Sequence, residues 1–167
     1  GCRTQCKWSA SQDVYKSSGY ELWSKEGGLK SSKGEEIGER PRTTNFAVWW
    51  DGDLLRELLD QNKIIKWDWV NKKEEILLQD PECISNNGSK ATPVLSADLF
   101  GDWREEVIWR TSDNKNLRIY STPHPSNYRF YTLMHDLQYR TAIAWQNVGY
   151  NQPPHPSFFL GEGMKSN

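Results

Sequence analysis

No stretch of the 167-residue chain approaches the roughly 18 consecutive apolar residues that a membrane-spanning helix needs. Nor does a basic segment followed by an apolar one mark a signal peptide. Cysteine is scarce and odd in number: Cys2, Cys6 and Cys83 form neither an even set for a disulfide framework nor paired knuckles for a metal. The three histidines, His124, His135 and His155, stand 11 and 20 residues apart, which matches no compact metal site. Basic residues are scattered and the formal net charge is −1, so the positive footprint of a nucleic-acid binder is missing. With 36% hydrophobic and 26% charged residues, the chain is not disordered by composition either. These exclusions leave a single soluble domain, long enough for a real core.

Against that background the stretch from Ala97 to Arg110 stands out. It sets Asp98, Asp102 and Glu106 at four-residue intervals, with Gly101 turning the backbone ahead of a Val-Ile-Trp strand. Three carboxylates on a turn suit a hard cation such as calcium, which takes six to eight oxygens at about 2.3–2.6 Å. The plain alternative is a solvated acidic turn. A second copy favours the first reading: a shift of 49 positions lays Gly52, Asp53 and Glu57 on Gly101, Asp102 and Glu106. In the first copy Asp51 replaces Phe100 and Trp49 stands where Asp98 does, so its ligands would be Asp51, Asp53 and Glu57. Beyond the loop, Asn62 to Trp67 aligns with Asn114 to Ile119 after a three-residue insertion. Short strands repeating every 50 or so residues mark propeller blades or a solenoid.

The remaining pattern is also β. Strands are expected at Tyr20–Trp23, Phe46–Trp50, Ile64–Val70, Glu75–Leu78, Leu117–Ser121, Tyr128–Leu133 and Thr141–Trp145, with Leu54 to Leu59 starting a strand despite some helical propensity. Ser85 to Lys90 contains an Asn-Gly pair, read as a tight turn with positive φ. Nine tryptophans need homes. Trp23, Trp49, Trp67, Trp69, Trp103 and Trp109 are assigned to packing, whereas Trp145 and Tyr150 adjoin a loop rich in Pro, Asn and Gly where exposure is expected.

The stretches Asn45 to Leu59, Ala97 to Arg110, Tyr131 to Asp136, and Ala144 to His155 closely resemble rhamnogalacturonan lyases of polysaccharide lyase family 11. The resemblance runs from about Gly19 to Met164 and corresponds to the C-terminal part of that family's catalytic domain. Residues 1–18 read as irregular and do not follow the pattern, and 165–167 form a tail. The resemblance implies an eight-bladed β-propeller, secreted by pectin-degrading bacteria, studded with calcium, that cuts rhamnose–galacturonate bonds of rhamnogalacturonan I by β-elimination. It also implies site residues. The family's substrate-contacting Asn-Gly-Thr-Lys turn falls on Asn87, Gly88, Ser89 and Lys90, with serine for threonine, and its active-site tyrosine falls on Tyr150.

Those residue types suit the chemistry. A base removes the C5 proton of galacturonate, the C4 oxygen departs, and the adjacent carboxylate must be neutralised by a cation or a cationic side chain. Lys90 serves as base or as countercharge, and Tyr150 as donor to the leaving oxygen or as a hydrogen-bond partner of a ring hydroxyl. At 40–50 residues per blade the chain supplies about three blades of an incomplete β-propeller, so the missing blades come from a longer chain or from self-association. Alone, the piece is expected to have little or no activity. The rival expectation is a calcium-stabilised module that binds polysaccharide or protein without cutting it.

Overall fold

Phe46 to Trp50 is an almost unbroken apolar run, and the computed structural model buries every one of its residues. The structure describes residues 21–23, 28–31, 33–39, 41–68, 70–148, 151–161 and 164. The assignments for 1–18, for 165–167, for Trp69 and for Tyr150 therefore fall outside the described residues.

Among the described residues, eleven strands form three antiparallel sheets. β1 (Glu21–Trp23), β2 (Leu29–Ser31) and β3 (Glu36–Gly38) make the first. β4 (Phe46–Val48), β5 (Glu57–Asp60), β6 (Lys63–Asp68) and β7 (Lys73–Gln79) make the second, a meander in which every strand pairs with the next. In the third, β10 (Glu106–Thr111) pairs with β11 (Leu117–Tyr120) on one side, and on the other with both β8 (Cys83–Ile84) and β9 (Leu95–Ala97). β8 and β9 are thus two ends of one interrupted edge strand. The excursion between them carries the Asn87 to Lys90 turn.

The second and third sheets share one core. Phe46, Val48, Trp50, Leu59 and Ile64 pack with Cys83, Val107 and Trp109, flanked by Leu77, Leu78 and Tyr120. Trp49, Leu54, Trp103, Leu133, Tyr139 and Leu160 form a second cluster beneath the acidic loops. Packing thus holds for Trp49, Trp103 and Trp109, while Trp145 is 54% exposed, as its loop setting implied.

Two expectations are corrected. Thr141 to Trp145 is not a strand but the end of a helix, α1 (Leu137–Ala144), capped by the Asp136 carboxylate, which accepts from the Tyr139 amide at 2.8 Å. β-branched Thr141 and Ile143 beside Trp145 mimicked a strand. The cap, five residues earlier, outweighs them, with Tyr139 and Ala142 buried one turn apart. Tyr128 to Leu133 also joins no ladder: Tyr128 stacks on Phe130 at 6.2 Å, and a 3-10 turn forms at Leu133–His135.

The repeat survives in atomic detail. The Glu57 carboxylate accepts from the Trp50 amide at 3.0 Å, and its counterpart Glu106 accepts from the Leu99 amide at 2.8 Å. Asp53 accepts from the Leu55 amide and Asp102 from the Arg104 amide, at 2.7 and 3.1 Å. Gly52 and Gly101 both adopt positive φ, 91° and 79°. The hairpins beyond differ more than the sequence alignment implied. Leu58 pairs with Ile65, but its counterpart Val107 pairs with Tyr120, so the second hairpin is longer by six residues, not three.

The two units meet at Arg56 and Glu105, which occupy equivalent repeat positions with opposite charge. Glu105 is fully buried, and its carboxylate accepts from the Tyr139 hydroxyl (2.7 Å), the Trp49 amide (3.0 Å) and Arg56 Nη2 (3.3 Å). Arg56 also donates to the carbonyls of Ala47 and Pro154 and lies 4.1 Å over the Trp49 ring. Burial pushes the Glu105 carboxyl above its ordinary value, opposed chiefly by Arg56. A carboxyl raised in this way contributes stability in acid that is lost as pH rises through its folded value. Arg56→Met removes the main opposing charge, so it should cost about 3–5 kcal/mol near neutral pH. The loss should shrink on acidification towards about pH 4.5, as denaturant titrations at several pH values would measure.

Candidate functional site

Two acidic loops and one lysine turn are the chemical features to locate. In the first loop, Asp51, Asp53 and Glu57 do come together: one oxygen from each lies within 4.8 Å of the others. Lys66 on β6 reaches into the group, bonding Asp51, bonding Asp53 at 2.8 Å and standing 3.7 Å from Glu57. Burial, with Asp51 adding to it, pushes Glu57 well above its ordinary pKa, and Lys66 works against that shift. For Lys66 burial opposes the charge, but the bonds to Asp51 and Asp53 prevail and hold it above its usual value. These are hard oxygen donors of the kind an alkaline-earth ion takes, and the ammonium sits where such an ion would place its charge.

The second loop is different. Among the described residues only the first triad meets as a cation-sized cluster, so Asp98, Asp102 and Glu106 are not gathered as the spacing implied. Asp98 and Glu106 are drawn into the fold instead, while Asp102 stays partly exposed. Asp98, completely buried, accepts from the Gly101 amide at 2.8 Å and from the Thr132 hydroxyl and Leu133 amide, both at 2.7 Å, anchoring the 3-10 turn. Asp102 pairs with Arg104. Glu106 uses one oxygen on the amides of Leu99 and Phe100, while its other oxygen is buried without a hydrogen-bond partner. Extending the strand register sets Ser121 opposite Glu106 where Lys66 faces Glu57, so this loop lacks the internal ammonium.

The lysine turn leaves the sheet between β8 and β9. Contrary to the reading from Asn-Gly, neither Asn87 nor Gly88 has positive φ; Ala91 does, at 51°. Side chains shape the bend: Asn87 Oδ1 accepts from the Lys90 amide at 2.8 Å, and Asn45 donates to the Lys90 carbonyl. Gly88 and Ser89 are exposed, with open space around Gly88, while Asn87 and Lys90 are half-buried.

Side-chain amides close the outer edge of the interrupted strand. Gln146 exchanges two bonds with the Ser96 backbone at 2.7 and 2.8 Å, Asn147 donates to the Val94 carbonyl, and Asn151 donates to the Thr92 hydroxyl. Two of these partners are backbone groups of alternate residues, 94 and 96, so there amides stand in for a missing strand. Asn86 Nδ2 also donates to Asn147 Oδ1 at 3.2 Å. The segments on both sides of position 150 are therefore docked against the lysine turn. Sequence reading missed Lys66, Thr92, Gln146, Asn147 and Asn151; only the Gln-Asn cluster after Trp145 gave any signal.

These features define a domain of repeated antiparallel sheets with acidic loops at the sheet ends and an exposed lysine turn on an edge. The chain belongs to rhamnogalacturonan lyase family 11: residues 4–167 match the model for that family's C-terminal domain. It is 59% identical over 147 residues to the rhamnogalacturonan endolyase YesW of Bacillus subtilis, covering 87% of this chain and 24% of YesW. It is 58% identical to the rhamnogalacturonan exolyase YesX of the same organism, covering 83% and 24%. Solved structures agree: the crystal structure of YesW superposes with a TM-score of 0.82 at 57% identity over 89% of this chain and 26% of that one. A Bacillus licheniformis rhamnogalacturonan lyase does so with the same score and identity over 88% and 25%. The chain thus spans about a quarter of the length of these relatives.

Replacing Lys66 with methionine leaves the three first-loop carboxylates facing one another. Without divalent cations the variant should lose about 1.5–3 kcal/mol, and millimolar calcium should restore more of its melting temperature than it adds to the wild type. Differential scanning calorimetry with and without a chelator checks this.

Proposed function

We propose that the chain is the C-terminal portion of a secreted β-propeller lyase that cuts rhamnose–galacturonate bonds of rhamnogalacturonan I by β-elimination. Family membership and the names of both relatives support the substrate. The face-to-face pair of antiparallel sheets, built on a 49-residue repeat, supports the reading as successive blades. One observation carries the residue assignment. Bonds from Asn86 to Asn147, and from both Asn87 and Asn151 to Thr92, tie the turn holding Lys90 to Asn147 and Asn151, and this supports the reading.

In this reading the exposed turn at Gly88 and Ser89 meets the sugar, and Asn87 fixes the turn's shape. Lys90, as the base, removes the C5 proton of galacturonate. The freed electron pair forms the C4–C5 double bond, the C4–oxygen bond breaks, and Tyr150 protonates the departing oxygen. Asp51, Asp53 and Glu57 would hold calcium in place of the Lys66 ammonium; bound there, the ion supplies the positive charge that keeps the three carboxylates together. The substrate is a plant cell-wall polysaccharide, which fits an extracellular location.

The test uses the protein with whatever chain flanks these residues. It should release unsaturated, ultraviolet-absorbing oligosaccharides from rhamnogalacturonan I. Lys90→Arg keeps the charge but cannot give up its proton at working pH, so it should lower the rate by about 10²–10⁴-fold. Wild-type rates in that variant would contradict the assignment.

A further inference from the structure

Trp49, Trp50, Trp103 and Trp109 are at most 4% exposed, whereas Trp145 presents 54% of its surface to solvent. Its backbone is fixed. Trp145 closes α1, its amide donating to the Thr141 carbonyl at 3.3 Å and its carbonyl accepting from the Val148 amide at 2.8 Å. The ring borders a shallow notch completed by Ala142, Gln146, Gln152, Pro153 and His155. The loop across the notch is fixed as well. The Pro154 carbonyl accepts from Arg56 Nη2 at 2.8 Å and the Pro156 carbonyl from Gln138 Nε2 at 3.1 Å, while Pro153, Pro154 and Pro156 restrict φ. Gln152 and His155 are exposed, and neither their side chains nor the Trp145 indole forms a hydrogen bond among the described residues.

The notch has room for about one water-sized group, so it takes a substituent rather than a whole ring. A ligand must therefore lie across the exposed indole face, with the notch and two free polar side chains at its rim. A pyranose has that form, one face of C–H groups and an edge of hydroxyls. The lining holds no carboxylate, so nothing in it repels an acidic polymer. Two residues on, Asn147 accepts from Asn86 at 3.2 Å at the foot of the lysine turn, so Trp145 lies on the same edge of the domain. We propose that Trp145 is the platform of a sugar subsite, on which one pyranose of the polysaccharide stacks while Gln152 and His155 hydrogen-bond its hydroxyls. The subsite takes its ligand class from the lyase reading above. It holds a sugar away from the bond that is cut, and so contributes binding rather than chemistry.

In the full chain acting on rhamnogalacturonan I, Trp145→Ala should raise KM about 10-fold with kcat within about threefold. Trp145→Phe keeps a flat ring and should stay within about threefold of wild type in both. The double variant Gln152→Ala, His155→Ala keeps the indole and should raise KM about 3- to 10-fold; it replaces W145A if that variant does not fold. Electrophoresis through gels containing rhamnogalacturonan I reads binding apart from cutting: the polymer should slow wild type and W145F more than W145A. Wild-type KM and retardation in W145A, or a loss confined to kcat, overturns the subsite while the lyase reading stands. A protein that the polymer slows through Trp145, yet that releases no unsaturated product, overturns the lyase reading and leaves the subsite. A protein neither slowed nor active overturns both.

Discussion

A carboxylate stripped of water is tolerated only where other groups replace its hydration, and Glu105 is such a carboxylate at the centre of this molecule. Its partners come from two places: Trp49 and Arg56 from the first repeat unit, and Tyr139 from α1. Burial and the adjacent Glu105 hold the Tyr139 phenol well above its usual pKa, so it keeps the proton it donates. The same hydroxyl accepts from the Asp98 amide at 3.0 Å, which links the hub to the second acidic loop. One ion therefore ties together two sheets and a helix. Each partner depends on the others, because a half-satisfied buried charge is worse than none.

Repetition explains why such a hub exists and why the loops it joins are not alike. Where one unit meets its copy at equivalent positions, identical charges would repel. Arginine at position 56 and glutamate at 105 convert that repulsion into attraction. The acidic loops diverged in the same way. The first keeps three carboxylates together around Lys66; the second spends Asp98 on capping the Thr132 turn and Asp102 on Arg104. A hairpin longer by six residues sets Ser121, not a lysine, opposite Glu106. The framework then positions the candidate site at little cost in order. The lysine turn leaves an edge strand whose outer backbone groups at Val94 and Ser96 are capped by amides from Asn147 and Gln146.

What could be read from sequence follows from the range of the interactions involved. β4, β5, β6, β10 and β11 were legible because burial alternation and the 49-residue repeat are local or periodic signals, and the repeat rightly overrode the helical propensity of Leu54 to Leu59. Gathering of Asp51, Asp53 and Glu57 followed from a glycine turn and short spacing. Helix α1 was missed because β-branched residues were weighed above the Asp136 cap. The Asn87 turn was located correctly but misjudged in shape, since its conformation is set by side chains of Asn45 and Thr92 rather than by Asn-Gly propensity. The Arg56–Glu105 contact and the amide edge join residues about 50 apart in sequence, and nothing local announces them. The separate fate of Asp98 was hidden for the same reason: its partners, Thr132 and Leu133, lie more than 30 residues away.

The claim on which this picture turns is that the Glu105 hub makes both sheets and α1 open as one unit. Native-state hydrogen exchange tests it most directly, read at the amides of Trp49, Glu105 and Asp98 against those of Leu59 and Val107 in the strand cores. All five should exchange with the same free energy and the same denaturant dependence. Exchange of the three hub amides by a separate, lower-energy opening, with the strand cores still protected, would contradict it.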